Sequence, residues 1–208
     1  MNSNPKGVIE QLSAESLEKC LLRLSKAAAA AWQLLDVKVS AGTIADAVEQ
    51  YDFKNPAAAV YFSLGSADGL TALMLFRPED IDCISRCFTK NAFPRGQRTT
   101  PAEEMMLQEV GNIVLNALLN SVLNAVKKSA MPVVPQFVEG DAARVAAGLG
   151  AAADLKRVFR VIKAELAIRC DKCEGRSEVF VMLPEELASG LERVLPLKTG
   201  LIADEVQK

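Results

Sequence analysis

Two side chains in the stretch EEMMLQEVGNIVLNALLNSVLNAVKK, Glu103 to Lys128, stand at a spacing that could do chemistry: Glu109 and Asn112. On a helix, residues three apart lie about 60° apart on one face, one turn from each other. A carboxylate there can pair with a partner's cation. A carboxamide can donate to and accept from a water, and so hold it in line with an electrophile. Gln108 and Asn116 extend the same polar stripe and are the candidate substrate-contacting residues beside the pair. The chain has no histidine. That removes Ser–His and Cys–His nucleophiles, histidine metal sites and the commonest general base. Hydrolysis by this chain would have to use carboxylates, carboxamides or a partner's groups.

The elements that would position this pair are readable from pattern. Thr100 can cap the long helix, Pro101 suits its first position, and Glu103 stands three residues after the cap, as a capping box requires. Residues 1–14 are polar and read as loosely ordered. Ser16 to Leu35 reads as a helix, with an alanine run at Ala27 to Ala31, and Val37 to Ile44 as a strand. Ala58 to Leu64 and Leu70 to Phe76 read as a hairpin around a Gly-Ser-Ala-Asp-Gly loop, with a short helix opening at Pro78. Asn91 to Pro101 reads as a linker. The second half repeats the order. A strand at Val133 to Val138 follows the long helix; then come a hairpin from Val158 to Leu183 and a short helix opening at Pro184. Glu139 to Asp154 reads as an insertion without a counterpart. The fold expected is α+β: two helix-strand-hairpin-helix halves, about 15–90 and 100–197, forming one domain over 1–208. They merge into one mainly antiparallel sheet with two long helices on one face.

Bulk composition narrows the partners. Lys and Arg number 24 against 26 Asp and Glu, a net charge of −2, so no basic field advertises nucleic acid. No apolar run reaches the length of a membrane span, and the N-terminus lacks the apolar stretch of a signal peptide. The expected location is the cytoplasm, with the five cysteines reduced.

The residues resemble a known family. Glu109-Val-Gly-Asn112 followed by Ile113, with Pro135 twenty-three positions after the asparagine, is similar to the motif of the CheC, CheX and FliY chemotaxis phosphatases. The duplicated order of elements matches as well. The resemblance implies removal of phosphate from the aspartyl-phosphate of a CheY-like response regulator. It implies that Asn112 orients the attacking water and that Glu109 pairs with a lysine in the regulator's active site. Pro135 itself reads as structural, shaping the strand next to the helix, since strand prolines favour edges. The regulator would hold the Mg²⁺, and this chain no cofactor and no metal. The family's pattern has Asp or Ser four residues before the glutamate, where this chain has Met105. In the first half Glu18 aligns with Glu109, Leu21 with Asn112 and Ile44 with Pro135, so the first site lacks its asparagine. A homodimer is compatible with the pattern.

Plainer readings stand beside these. Gln108, Asn112, Asn116 and Asn120 could form a solvated helix face. Val110, Ile113, Val114, Ala117 and Leu118 read as core, and Leu115, Leu119 and Leu123 more simply as core than as a rim for a partner. Cys170 and Cys173, with Cys83 and Cys87, would suffice for a four-thiolate zinc site. A hairpin turn with free thiols is the simpler reading, and no metal is assigned. Three functions remain in view: a phospho-aspartyl phosphatase, a binding module of the same fold engaging a receiver domain or a CheD-like partner, and a metal-stabilised structural protein.

Overall fold

The computed structural model describes residues 7–28, 30–49, 51, 57–64, 69–89, 98–129, 134–150, 154–170 and 173–195. The first half comprises α1 (Val8–Ala28), β1 (Ala31–Gly42), α2 (Ile44–Glu49), β2 (Ala57–Leu64), β3 (Leu70–Phe76) and α3 (Pro78–Thr89). The second repeats it: α4 (Pro101–Ala125), β4 (Gln136–Gly140), α5 (Ala142–Gly150), β5 (Phe159–Cys170), β6 (Cys173–Leu183) and α6 (Glu185–Val194).

The six strands form one antiparallel sheet in the order β1-β5-β6-β3-β2-β4. The order is symmetric about the β6–β3 pair. Each hairpin is flanked by the single strand of the other half: β1 pairs with β5, and β4 with β2. Neither half therefore completes its sheet alone, and the backbone groups of β1 find their ladder only across the duplication.

Side chains alternate between two cores, as strand geometry requires. Val60, Met74, Ile162 and Val181 point to the face covered by α1, α3, α4 and α6. Ala59, Leu75, Val161 and Phe180 point to the other face, against Ile44 and Val48 of α2 and Val145 and Leu149 of α5. The two long helices thus share one face, as expected, and short helices cover part of the other. Burial on both sides explains why β2 and β3 read as near-continuous apolar runs.

Several expectations change. The polar N-terminal stretch is helical from Val8, because Ile9 and Ser13 are buried. The first helix does not reach Leu35; it ends at Ala28, and Ala31 to Leu35 belong to β1. Ser25 marks the junction. Its hydroxyl accepts the Trp32 N–H at 2.8 Å and donates to Leu21 O, tying the start of the strand to the last turn of the helix. Ile44 opens α2 rather than closing a strand. That makes α5 the counterpart of α2, so the supposed insertion is part of the repeat. The loop expected at residues 65–69 lies outside the described residues except for Gly69. That residue has φ +59°, and an added Cβ would meet Arg157 at 2.6 Å. Most of the expected linker, and Val133, also lie outside them. The thiols are not all reduced, since Cys83 of α3 and Cys173 of β6 form a disulfide across a sequence separation of 90.

One contact sets how close α4 comes to the sheet. A Cβ on Gly111 would stand 2.5 Å from Val60 Cγ1 and 2.9 Å from Val60 Cβ. Only a residue without a side chain permits that approach, against a β-branched neighbour with a restricted rotamer. Gly111→Ala gains about 1 kcal/mol of helix propensity, but overpacking costs about 1–3 kcal/mol, and against rigid Val60 we expect the upper end. The variant should lose about 1–2 kcal/mol net, read as a lower urea midpoint. A midpoint at or above the parent's would mean that the helix can lift off the sheet freely.

Candidate functional site

The helix bearing Glu109 and Asn112 is fixed at both ends. At its start the capping box is complete. Thr100 Oγ1 accepts the Glu103 N–H at 3.3 Å, and Glu103 Oε2 accepts the Thr100 N–H at 2.8 Å. Thr99 donates its N–H and its hydroxyl to Glu139 Oε1 at 3.0 and 2.9 Å, which anchors this end to edge strand β4. At its end Lys127 adopts a left-handed conformation, φ 55°, and the Lys128 N–H bonds back to Leu123 O at 2.9 Å. This is a Schellman-type stop with lysine where glycine is usual.

Between these anchors Val110, Gly111, Val114, Leu115 and Leu118 are buried against the sheet. The opposite face carries the predicted residues. Glu109 is exposed; Gln108, Asn112 and Asn116 are half-buried. The acid and the amide therefore reach solvent on the same helix, one turn apart. Asn116 Nδ2 donates to Asn112 Oδ1 at 2.6 Å. That bond takes one lone pair of the Asn112 carbonyl and restrains the amide, so its N–H donors and remaining lone pair are what could meet a water. Met105 is 66% exposed, so nothing in the fold hides the departure at that position. Ile113, expected in the core, is 38% exposed, while Leu115, Leu119 and Leu123 are buried as expected. Pro135 directly precedes β4, which lies at the sheet's edge, where a missing N–H is tolerated.

The amide stripe borders α1, which runs antiparallel to α4. Ser16 Oγ donates to Ala117 O at 2.9 Å, and Cys20 Sγ to Ile113 O at 3.8 Å. Burial pushes the Cys20 thiol's pKa up, with Arg23 pulling the other way. Over this seam lies an open groove of about 520 Å³, walled by Glu15, Ser16, Lys19 and Arg23 on one side and Ile113, Asn116, Asn120 and Ser121 on the other. Asn116 thus belongs both to the groove and to the Asn112 hydrogen bond. The cations of the α1 wall were not singled out from sequence. Their signal was there, as Lys19 and Arg23 stand four apart on the polar face of a helix already recognised.

The two long helices share one pattern of burial. Setting Leu17 of α1 on Gly111 of α4 brings every other buried α1 residue onto a buried α4 residue. Ile9 falls on Glu103, Ser13 on Leu107, Cys20 on Val114, Leu21 on Leu115, Leu24 on Leu118 and Ala28 on Val122. Glu15 then falls on Glu109 and Glu18 on Asn112. This corrects the alignment read from sequence. Leu21 is 1% exposed and faces the core, so it cannot occupy the asparagine's place. Ile44, at the start of α2, is likewise no counterpart of Pro135. The first half still lacks the amide, but a carboxylate stands where it would be.

This two-fold repeated α+β arrangement is shared with solved structures. The chain is similar in structure to FliY of Thermotoga maritima, with TM-score 0.68, 8% identity, and coverage of 93% of this chain and 98% of that one. It is similar to chemotaxis protein CheX of Vibrio vulnificus, with TM-score 0.53, 11% identity, and coverage of 84% and 99%. It is also similar to a chain of the FliG–FliM complex of H. pylori, with TM-score 0.60, 14% identity, and coverage of 88% and 96%. No family model matches the chain, and no curated protein matches it. The chain thus has the fold of FliY and CheX, and at these identities the likeness is one of fold alone. No helix among the described residues is long and apolar enough to cross a membrane.

The corrected register has a measurable consequence. Leu21→Asn buries an amide where the earlier alignment has a surface position, and should cost about 3 kcal/mol. Glu18→Asn, on the exposed face, should stay within about 0.5 kcal/mol of the parent. Urea unfolding of both variants checks this, and equal stabilities would return Leu21 to the surface.

Proposed function

We propose that this protein is a phospho-aspartyl phosphatase acting on a CheY-like receiver domain, with Asn112 orienting water and Glu109 docking. The observation that carries the reading is an exposed acid and a half-buried amide one turn apart on a helix held at both ends, in the fold of FliY and CheX. The substrate bond is a mixed anhydride of a carboxylate and a phosphate. The receiver domain holds the phosphoryl group and its Mg²⁺, so the phosphatase supplies no cofactor. It inserts α4 and presents the Asn112 amide to one water. The water oxygen attacks phosphorus in line, the bond from phosphorus to the aspartyl oxygen breaks, and the products are the free carboxylate, inorganic phosphate and a proton. Catalysis by positioning needs no general base, which suits a chain without histidine. Glu109 pairs with the receiver's active-site lysine and sets the depth of approach. Gln108 and Asn116 lie beside it as contact residues.

A second reading is favoured by particular residues. Met105 cannot supply the group that opens the motif, and the Asn116 amide already engages Asn112 Oδ1. FliM of similar fold is found in complex with FliG. In this reading the chain binds a receiver domain or a CheD-like protein, as a monomer or a homodimer, and hydrolyses nothing.

Phosphate release from a panel of phosphorylated receiver domains separates the two. Under the phosphatase reading the chain accelerates release from its cognate receiver, and Asn112→Ala lowers that acceleration by about 10²–10³ while leaving receiver affinity unchanged. Glu109→Ala instead weakens the complex by about 1.5–3 kcal/mol. A receiver that binds tightly yet loses phosphate only at its own rate would overturn the phosphatase reading in favour of the binding module.

A further inference from the structure

We propose that Cys83, Cys87, Cys170 and Cys173 form a tetrathiolate zinc site that ties the two halves of the duplication together. Their four sulfur atoms all lie within 4.8 Å of one another. A tetrahedral site with Zn–S of about 2.3 Å has sulfurs about 3.8 Å apart, so the cluster is already close to the size of one ion's shell.

The ligand pairs come from two rigid elements. Cys83 and Cys87 stand four apart on α3, which puts both on one face of the helix. Cys170 ends β5 and Cys173 begins β6, and the two are cross-strand partners at the hairpin's turn. Paired cysteines at two- to four-residue separation on a helix and on a hairpin are the usual supply of a structural zinc site. The chain lacks histidine, so four thiolates are the ligand set available here, and tetrahedral sulfur sites select zinc or iron.

Independent contacts hold these elements at bonding range. A Cβ on Gly175 would meet Cys83 Cβ at 3.2 Å and Asp80 O at 3.4 Å, so the glycine lets the first turn of α3 lie close on β6. Asp80 Oδ1 accepts the Arg176 N–H at 2.8 Å and pins the same two segments.

A disulfide between Cys83 and Cys173 accounts for only half of the cluster. It leaves Cys170 Sγ 3.0 Å from Cys173 Sγ, and Cys87 buried beside them. Packing as small apolar side chains explains Cys83 and Cys87. Cys170 and Cys173 are half-buried and pack only at the margin of the core. One ion uses all four. The two-electron reduction of the disulfide by a thiol or phosphine reductant gives four thiols. Zinc then binds the four thiolates with release of four protons, leaving a complex of charge −2. The ion bridges α3 of the first half to the β5–β6 turn of the second, beyond the end of the β3–β6 ladder at Ser177.

The test uses the full chain expressed with zinc in the medium and purified under a phosphine reductant without air. Elemental analysis should find about one zinc per chain. Cobalt replacement should give the thiolate charge-transfer and intense visible bands of a tetrahedral sulfur site. Cys87→Ser and Cys170→Ser, which leave Cys83 and Cys173 in place, should each lower zinc affinity at least about tenfold. Chelation should lower the parent's Tm, a readout that stands even where a serine variant does not fold. Metal-free protein that keeps its Tm in chelator, or zinc retained by both serine variants, overturns the site. Iron on the same four sulfurs overturns the assignment to zinc.

Discussion

The contact between Gly111 and Val60 governs the arrangement around it. It lets α4 lie closer to the sheet than a helix with side chains all round, and it fixes the rotation of the helix about its axis. With Gly111 pressed inward, Glu109 and Asn112 are carried to the outer face. The same glycine that makes the core work thus aims the acid and the amide. In α1 the equivalent place holds Leu17, fully buried, so the twin helix meets the sheet through a large side chain. The duplication is alike in topology and unlike at its two centres: glycine, acid and amide on α4, and leucine with two acids on α1.

The sheet order explains why such divergence is tolerated. Each half lends its single strand to the other's hairpin, so the halves are interlocked by backbone hydrogen bonds whatever their helices carry. One helix can carry an acid and an amide on its outer face while the other carries acids alone. The cysteine cluster follows the same logic, because it joins α3 of one half to the β5–β6 turn of the other.

How much of this was legible in the sequence depended on whether the signal was local. The capping box at Thr100 and Glu103, the β2–β3 hairpin and the acid–amide spacing are carried by neighbouring residues, and each reads directly. The end of α1 was hidden because an alanine run with no proline or glycine crosses it; Ser25 closes the helix through hydrogen bonds that leave no distinctive pattern. The equivalence of α2 and α5 was hidden by unlike composition around a shared position. Leu21 was misassigned because sequence spacing tolerates a slip of a few residues, whereas burial on a helix does not. Nothing in the chain's spacing brings Cys83 to Cys173; the stacking of α3 on β6 does.

The proposed docking sets the outer face of α4, around Glu109 and Asn112, against the receiver domain. It is tested most directly by following the side-chain amide NMR signals of this protein while titrating a CheY-like receiver held in its phosphorylated form by beryllofluoride. Under that docking the Asn112 and Asn116 amide signals shift strongly as the complex forms, while that of Asn124, exposed about three turns past Asn112 on the same helix, stays in place. A complex that forms with those two signals unmoved, its shifts lying instead at α3 and the β5–β6 turn or along edge strand β4, would contradict it.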